Sequence, residues 1–130
     1  MQEPHWLDRR AVEAIQADLL NRHGGRPGVR DEHLLESALA RPRTNWGYQP
    51  DMDLAALAAA YGYGLARNHA FVDGNKRIAF MAMFVLLGLN GYELDAPEPE
   101  VVRIMLDVAS GAAGEQQMAD WVRSNSKAAA

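Results

Sequence analysis

Ten consecutive apolar residues, from Ile78 to Leu87, run without a polar interruption, and Leu89 follows after Gly88. A bilayer span needs about 18 or more such residues, so this run is too short to cross a membrane. It predicts instead a helix buried on all sides in a small bundle. The 130 residues suit one domain and leave little room for two. With 48% hydrophobic and 23% charged residues, the chain has enough apolar surface to bury and does not read as disordered.

The flanking sequence supplies further helices. Asp8 precedes a segment in which Val12, Ile15, Leu19 and Leu20 keep helical spacing, and Gly24-Gly25 ends it. After a turn-rich connector at 24–30, Asp31 caps a second, short helix carrying Leu34, Leu35, Ala38 and Leu39, which Pro42 is expected to stop. Residues 43–50 show no helical period, and Thr44, Trp46 and Tyr48 at alternate positions suit an extended segment. A third helix, from Asp51 or Asp53 to about Asn68, aligns Leu54, Leu57, Ala58, Tyr61, Gly62 and Leu65 on one face. A polar break at 69–73 separates it from the apolar helix, expected over about 74–90 with Gly91 just beyond its end. Pro97 opens a fifth helix that buries Val101, Met105 and Val108, and Met118, Trp121 and Val122 give a last short helix one face. The expectation is an all-α bundle of about six helices forming a single domain over 1–130. Its core covers about 5–124, and the tail Lys127-Ala128-Ala129-Ala130 frays.

Charge and cysteine content narrow the chemistry. Thirteen Lys and Arg against 17 Asp and Glu leave a net charge of −4, which argues against a broad nucleic-acid surface. The absence of cysteine excludes disulfides, thiolate nucleophiles and Cys-based zinc sites. The first residues have neither a basic nor an apolar signal-peptide region, so the expected location is cytoplasmic, with no membrane association.

One segment breaks a local rule. The first turn of a helix carries partial positive charge and favours Asp or Glu, yet the apolar helix opens with Lys76 and Arg77 in succession. Such a conflict is expected where function overrides stability. An anion bound at that helix N-terminus resolves it: Gly74 admits close backbone approach, N–H groups point outward, and two cations add to the dipole. Two cations with several N–H donors fit a polyphosphate better than a lone carboxylate. Asp73 would be repelled by that anion unless a cation lay between them, and Mg²⁺ bridging one carboxylate and phosphate oxygens is the usual solution. His69, four positions before Asp73, is the one residue in the segment that exchanges protons near pH 7, and it is placed to deprotonate a hydroxyl that attacks phosphorus. Phe71, between them, plugs the loop into the core. His5, His23 and His33 read as surface or capping groups.

His69-Ala70-Phe71-Val72-Asp73-Gly74-Asn75-Lys76-Arg77 resembles the motif of the Fic/Doc family, His-x-Phe-x-(Asp/Glu)-(Gly/Ala)-Asn-(Gly/Lys)-Arg, at every fixed position. The stretches 24–31, 34–40 and 87–92 resemble the Doc ("death on curing") branch, so the likeness extends over about residues 5–124. It implies a Fic-fold bundle with the motif loop at the N-terminus of the central helix. It also implies His69 as general base and Asp73 as the residue serving the metal ion. Gly74 and Asn75 would shape the anion loop, Asn75 also bonding phosphate, and Lys76 and Arg77 would hold phosphates.

Adenylylating members carry glycine where this chain has Lys76; Doc toxins carry lysine there. The resemblance therefore implies a toxin that transfers the γ-phosphate of ATP to a hydroxyl of a translation factor, elongation factor Tu, and so inhibits translation. AMP transfer and an inactive binding module are the alternatives. It further implies a separate antitoxin, whose C-terminal segment folds as a helix in a groove of the toxin and which makes any nucleic-acid contact. Residues 43–50, with Thr44, Asn45 and Trp46, lie where the family has a flap that aligns an extended target by main-chain pairing.

Overall fold

Aspartates start three of the helices. The Asp8, Asp31 and Asp53 carboxylates each accept a backbone N–H three residues on, from Ala11, Leu34 and Ala56, at 2.9 Å in every case. The computed structural model describes residues 2–130. The helices are α1 (Arg9–His23), α2 (Glu32–Tyr48), α3 (Leu54–Asn68), α4 (Asn75–Leu89), α5 (Glu98–Ser110) and α6 (Glu115–Asn125). Two short strands, β1 (Tyr92–Leu94) and β2 (Ser126–Ala128), pair antiparallel. Among the described residues no helix is long and apolar enough to cross a membrane.

The deepest helix is α3, which packs against α2, α4, α5 and α6. Its sequence explains this. Ala55, Ala58, Ala59, Ala60, Gly62, Gly64 and Ala66 are all buried, and small residues let neighbouring backbones approach. A Cβ on Gly64 would lie 3.4 Å from the Ala38 Cβ of α2, and one on Gly62 would run into Met83 of α4.

The motif loop opens α4, as expected, but α4 is not covered on all sides. It buries Ile78, Ala79, Ala82, Met83, Leu86 and Leu87 and leaves Phe84 39% exposed. A helix apolar around its whole circumference has residues left over once one side is packed, and here they line a cleft.

Two other expectations are corrected. The second helix does not stop at Pro42 and residues 43–50 are not extended: α2 continues to Tyr48 with Pro42 inside it. Proline costs the bond to the Ala38 carbonyl, but tertiary contacts hold the second half of the helix. Trp46 stacks edge-on against Trp6 at 6.0 Å, and the Arg43 guanidinium lies 5.4 Å above the Trp6 ring. Nor does the tail fray at once. Tyr92, Glu93 and Leu94 pair with Ala128, Lys127 and Ser126, and Lys127 reaches Asp95 at 3.4 Å.

At the other end of α3, Arg123 of α6 forks onto the capping Asp53 (Nε to Oδ2 2.7 Å, Nη2 to Oδ1 3.0 Å). These bonds, against a smaller effect of burial, hold the Asp53 carboxyl below its ordinary range. Its contribution is therefore complete above the ordinary carboxylate pKa and is lost as the pH falls through the lowered one. Both side chains are about half exposed, so the size is discounted to under about 1 kcal/mol. Asp53→Asn should flatten the loss of stability between neutral and acid pH by that amount in urea titrations. Gly62→Ala should lower stability by about 1–3 kcal/mol, because Met83 is fully buried and has nowhere to retreat.

Candidate active site

The site is the reversal between α3 and α4. Asn68 ends α3, and His69 follows in the left-handed conformation (φ 49°, ψ 47°), the one non-glycine with positive φ among the described residues. Gly74, also left-handed (φ 77°), begins α4. Between them Ala70 and Phe71 turn inward, Phe71 to 1% exposure, while Val72 and Asp73 stay outside. The Asn75 side chain spans the turn: its Oδ1 accepts the Phe71 N–H and its Nδ2 donates to the Phe71 carbonyl, both at 3.0 Å. That amide is occupied in shaping the loop. What Asn75 offers a phosphate is its backbone N–H in the first turn of α4.

The connector between α1 and α2 braces the loop from outside. Val29 bridges Phe71 antiparallel, and the Val72 N–H donates to the Gly28 carbonyl at 3.0 Å. The Arg30 and Asp31 N–H groups both donate to the Ala70 carbonyl, at 2.7 and 3.1 Å. Asp73 accepts the Gly74 N–H at 2.9 Å with Oδ1 and the Arg26 N–H at 3.3 Å with Oδ2. Gly25 is required beside it. Its φ is 113°, and a Cβ there would lie 3.0 Å from Asp73 Oδ2.

One cleft of about 970 Å³ collects the chemistry. His69, Asp73, Gly74, Asn75, Lys76 and Arg77 line one end; Phe80, Phe84, Val102 and Leu106 line the other, between α4 and α5. Lys76 and Arg77 are exposed, and neither has an ion-pair partner among the described residues. No side chain caps α4, so the first-turn N–H groups and the positive end of the helix dipole remain available to an anion.

His23, assigned from sequence to the surface, lines this cleft as well. Its position depends on α1 ending beside the loop, and no local sequence signal carries that. Thr44, Asn45 and Trp46 are elsewhere. They form helical turns of α2 and offer no free main-chain edge, and Asn45 faces a separate cleft of about 490 Å³ with Tyr48 and Glu115. The extended chain beside His69 is the α1–α2 connector.

Among the described residues, no group of three or more His, Asp or Glu stands together to hold a metal ion. Asp73 nonetheless suits Mg²⁺, an ion that binds one or two carboxylates and takes its remaining ligands from phosphates and water. Its two oxygens are engaged only by backbone N–H groups, one of them at 3.3 Å.

The family model described as Fic/DOC family matches residues 6–87, and the chain belongs to that family. A curated protein, Toxin Doc of Mycolicibacterium smegmatis (strain ATCC 700084 / mc(2)155), is 49% identical over 74 residues, 56% of this chain and 57% of its own length. The chain thus spans little more than half of that relative.

Asn75→Ala should free the Phe71 backbone from two bonds and cost about 1–3 kcal/mol in thermal or urea unfolding. It should also weaken binding of inorganic tripolyphosphate, measured by calorimetry, because the first turn of α4 loses its anchor.

Proposed function

We propose that the chain is a Doc-like toxin that transfers the γ-phosphate of ATP to a Ser or Thr hydroxyl of a translation factor, elongation factor Tu, and thereby inhibits translation. The observation that carries this reading is the His69 imidazole in one cleft with Lys76 and Arg77, which make no ion pair among the described residues, at the open N-terminus of a helix no side chain caps. The likeness to a protein named Toxin Doc supports the toxin role. Lys76, at the position that is glycine in adenylylating members, supports phosphoryl rather than AMP transfer.

His69 accepts the proton as the target hydroxyl oxygen attacks the γ-phosphorus. A new P–O bond forms, the bond to the β,γ-bridging oxygen breaks, and ADP leaves with that electron pair. Lys76, Arg77 and the first-turn N–H groups of α4 bind the phosphate oxygens and stabilise the charge that spreads over them. Asp73 would hold Mg²⁺, which when bound neutralises phosphate charge. Phe71 and Asn75 keep the loop in place. The half-exposed Phe84, Val102 and Leu106 along the same cleft offer an apolar face to the helix of a separate antitoxin.

Purified protein incubated with Mg²⁺, ATP and elongation factor Tu should add one phosphate to the factor, read by intact mass, and His69→Ala should abolish the addition while melting within a few degrees of wild type. Addition of AMP would assign nucleotidyl transfer instead. Lys76→Gly should slow phosphoryl transfer at least tenfold, because a point charge on the transferred group is lost, and unchanged kinetics would remove Lys76 from the mechanism.

A further inference from the structure

We infer that Arg30, which does not line the cleft, is the positioning residue that sets the direction of the His69 imidazole. Its guanidinium forks onto two successive carbonyls at the end of α3: Nε donates to the His69 carbonyl at 2.7 Å and Nη2 to the Asn68 carbonyl at 3.1 Å. The Asn68 carbonyl belongs to the peptide plane before the His69 Cα, and the His69 carbonyl to the plane after it. Holding both planes fixes φ and ψ of His69, and with them the bond from Cα to Cβ that aims the ring.

The fork is needed because His69 is left-handed without being glycine, a conformation that persists only where its surroundings over-determine it. The Asn68 side chain also ties this end of α3 to the Leu34 carbonyl at 2.9 Å, but among the described residues the bond onto the His69 carbonyl comes from Arg30. Arg67, the basic residue in the last turn of α3, turns away to the Val108 and Ala109 carbonyls of α5. The backbone adds to the fork: the Arg30 and Asp31 N–H groups hold the next carbonyl, Ala70. A cation at the carbonyl end of a helix is favourable in itself, but only the planar fork of arginine spans two carbonyls. Lysine would bring the charge without the geometry.

The catalytic part of this inference rests on His69 acting as the base; the structural part does not. The test compares wild type, Arg30→Ala and Arg30→Lys by NMR of the histidine rings, and by kinetics with Mg-ATP and elongation factor Tu. In Arg30→Ala the His69 ring signal should shift or broaden while that of His5, at the far side by Asn90, stays in place. The dissociation constant of Mg-ATP should stay within threefold, and kcat should fall about tenfold to a hundredfold with KM unchanged, the size expected of a misplaced catalytic group. Arg30→Lys should recover part of kcat. An unmoved His69 signal with kcat within twofold of wild type overturns the inference. So does a uniform shift of all histidine signals with a matching loss of melting temperature in both variants, which would make Arg30 a general structural residue. If Arg30→Ala does not fold, Arg30→Lys decides on the same readouts. Wild type that transfers nothing to the factor defeats the proposed function, and the ring signals still decide where Arg30 stands.

Discussion

The close contact of α3 with α4 is the constraint from which the site follows. Gly62 meets Met83, two positions about equally far from the intervening loop, so the two helices form a hairpin with their axes drawn together by small residues. A hairpin this tight must reverse the chain within residues 69–74. Two left-handed residues, His69 and Gly74, make the reversal. Phe71, driven into the core between them, prevents the loop from relaxing. Helix packing thus puts the histidine at the turn, and the Arg30 fork onto the Asn68 and His69 carbonyls holds its left-handed backbone there.

Electrostatics then sets the two ends of the cleft apart. Placing Lys76 and Arg77 on the positive end of α4 forgoes the stabilisation of about 0.3–1 kcal/mol that an acidic residue would bring there. Three other helices follow the rule: α2, α5 and α6 carry Glu32, Glu98 with Glu100, and Glu115 in their first turns. α1 also opens on two cations, Arg9 and Arg10, but there the Asp8 carboxylate caps the helix and Arg9 is paired with Glu13, Glu32 and Glu36. In a chain with net charge −4, cations also have acidic partners to choose from, and Arg9, Arg22, Arg41 and Arg123 take them. The two motif cations make no ion pair among the described residues, although Asp73, Asp95 and Glu98 line the same cleft. Asp73 is itself turned toward the Arg26 and Gly74 N–H groups.

The parts of the fold that were legible in sequence are the parts governed by local chemistry. The aspartate caps, the glycine ends of α1 and α4, and the phase of apolar residues in α3 all act within a turn or two of themselves. The motif was legible for the same reason, since base, carboxylate, glycine and cations fall within one loop. Pro42 misled because its local penalty is real, yet the Trp46–Trp6 contact that outweighs it joins residues 40 positions apart. The β1–β2 pair was invisible because three residues carry no period, and an Ala-rich tail shows nothing of a partner at Tyr92–Leu94. His23 was missed because only the course of α1 brings it to the cleft.

The candidate active site therefore divides into what is written once and what is assembled. The groups that would touch substrate come from a single stretch of nine residues, so a motif can identify them. The groups that hold those residues in place come from the connector roughly 40 positions upstream: Gly25 against Asp73, Val29 against Phe71, and Arg30 against Asn68, His69 and Ala70. Taken alone, that connector reads as a glycine-rich turn. Its glycines are there because Gly25 and Gly28 have φ of 113° and 112°, which side chains rarely allow, and because Asp73 and Leu20 crowd a Cβ at Gly25. A chain that kept the nine residues and lost the connector would retain the motif without the direction of the His69 ring, and general-base chemistry depends on that direction.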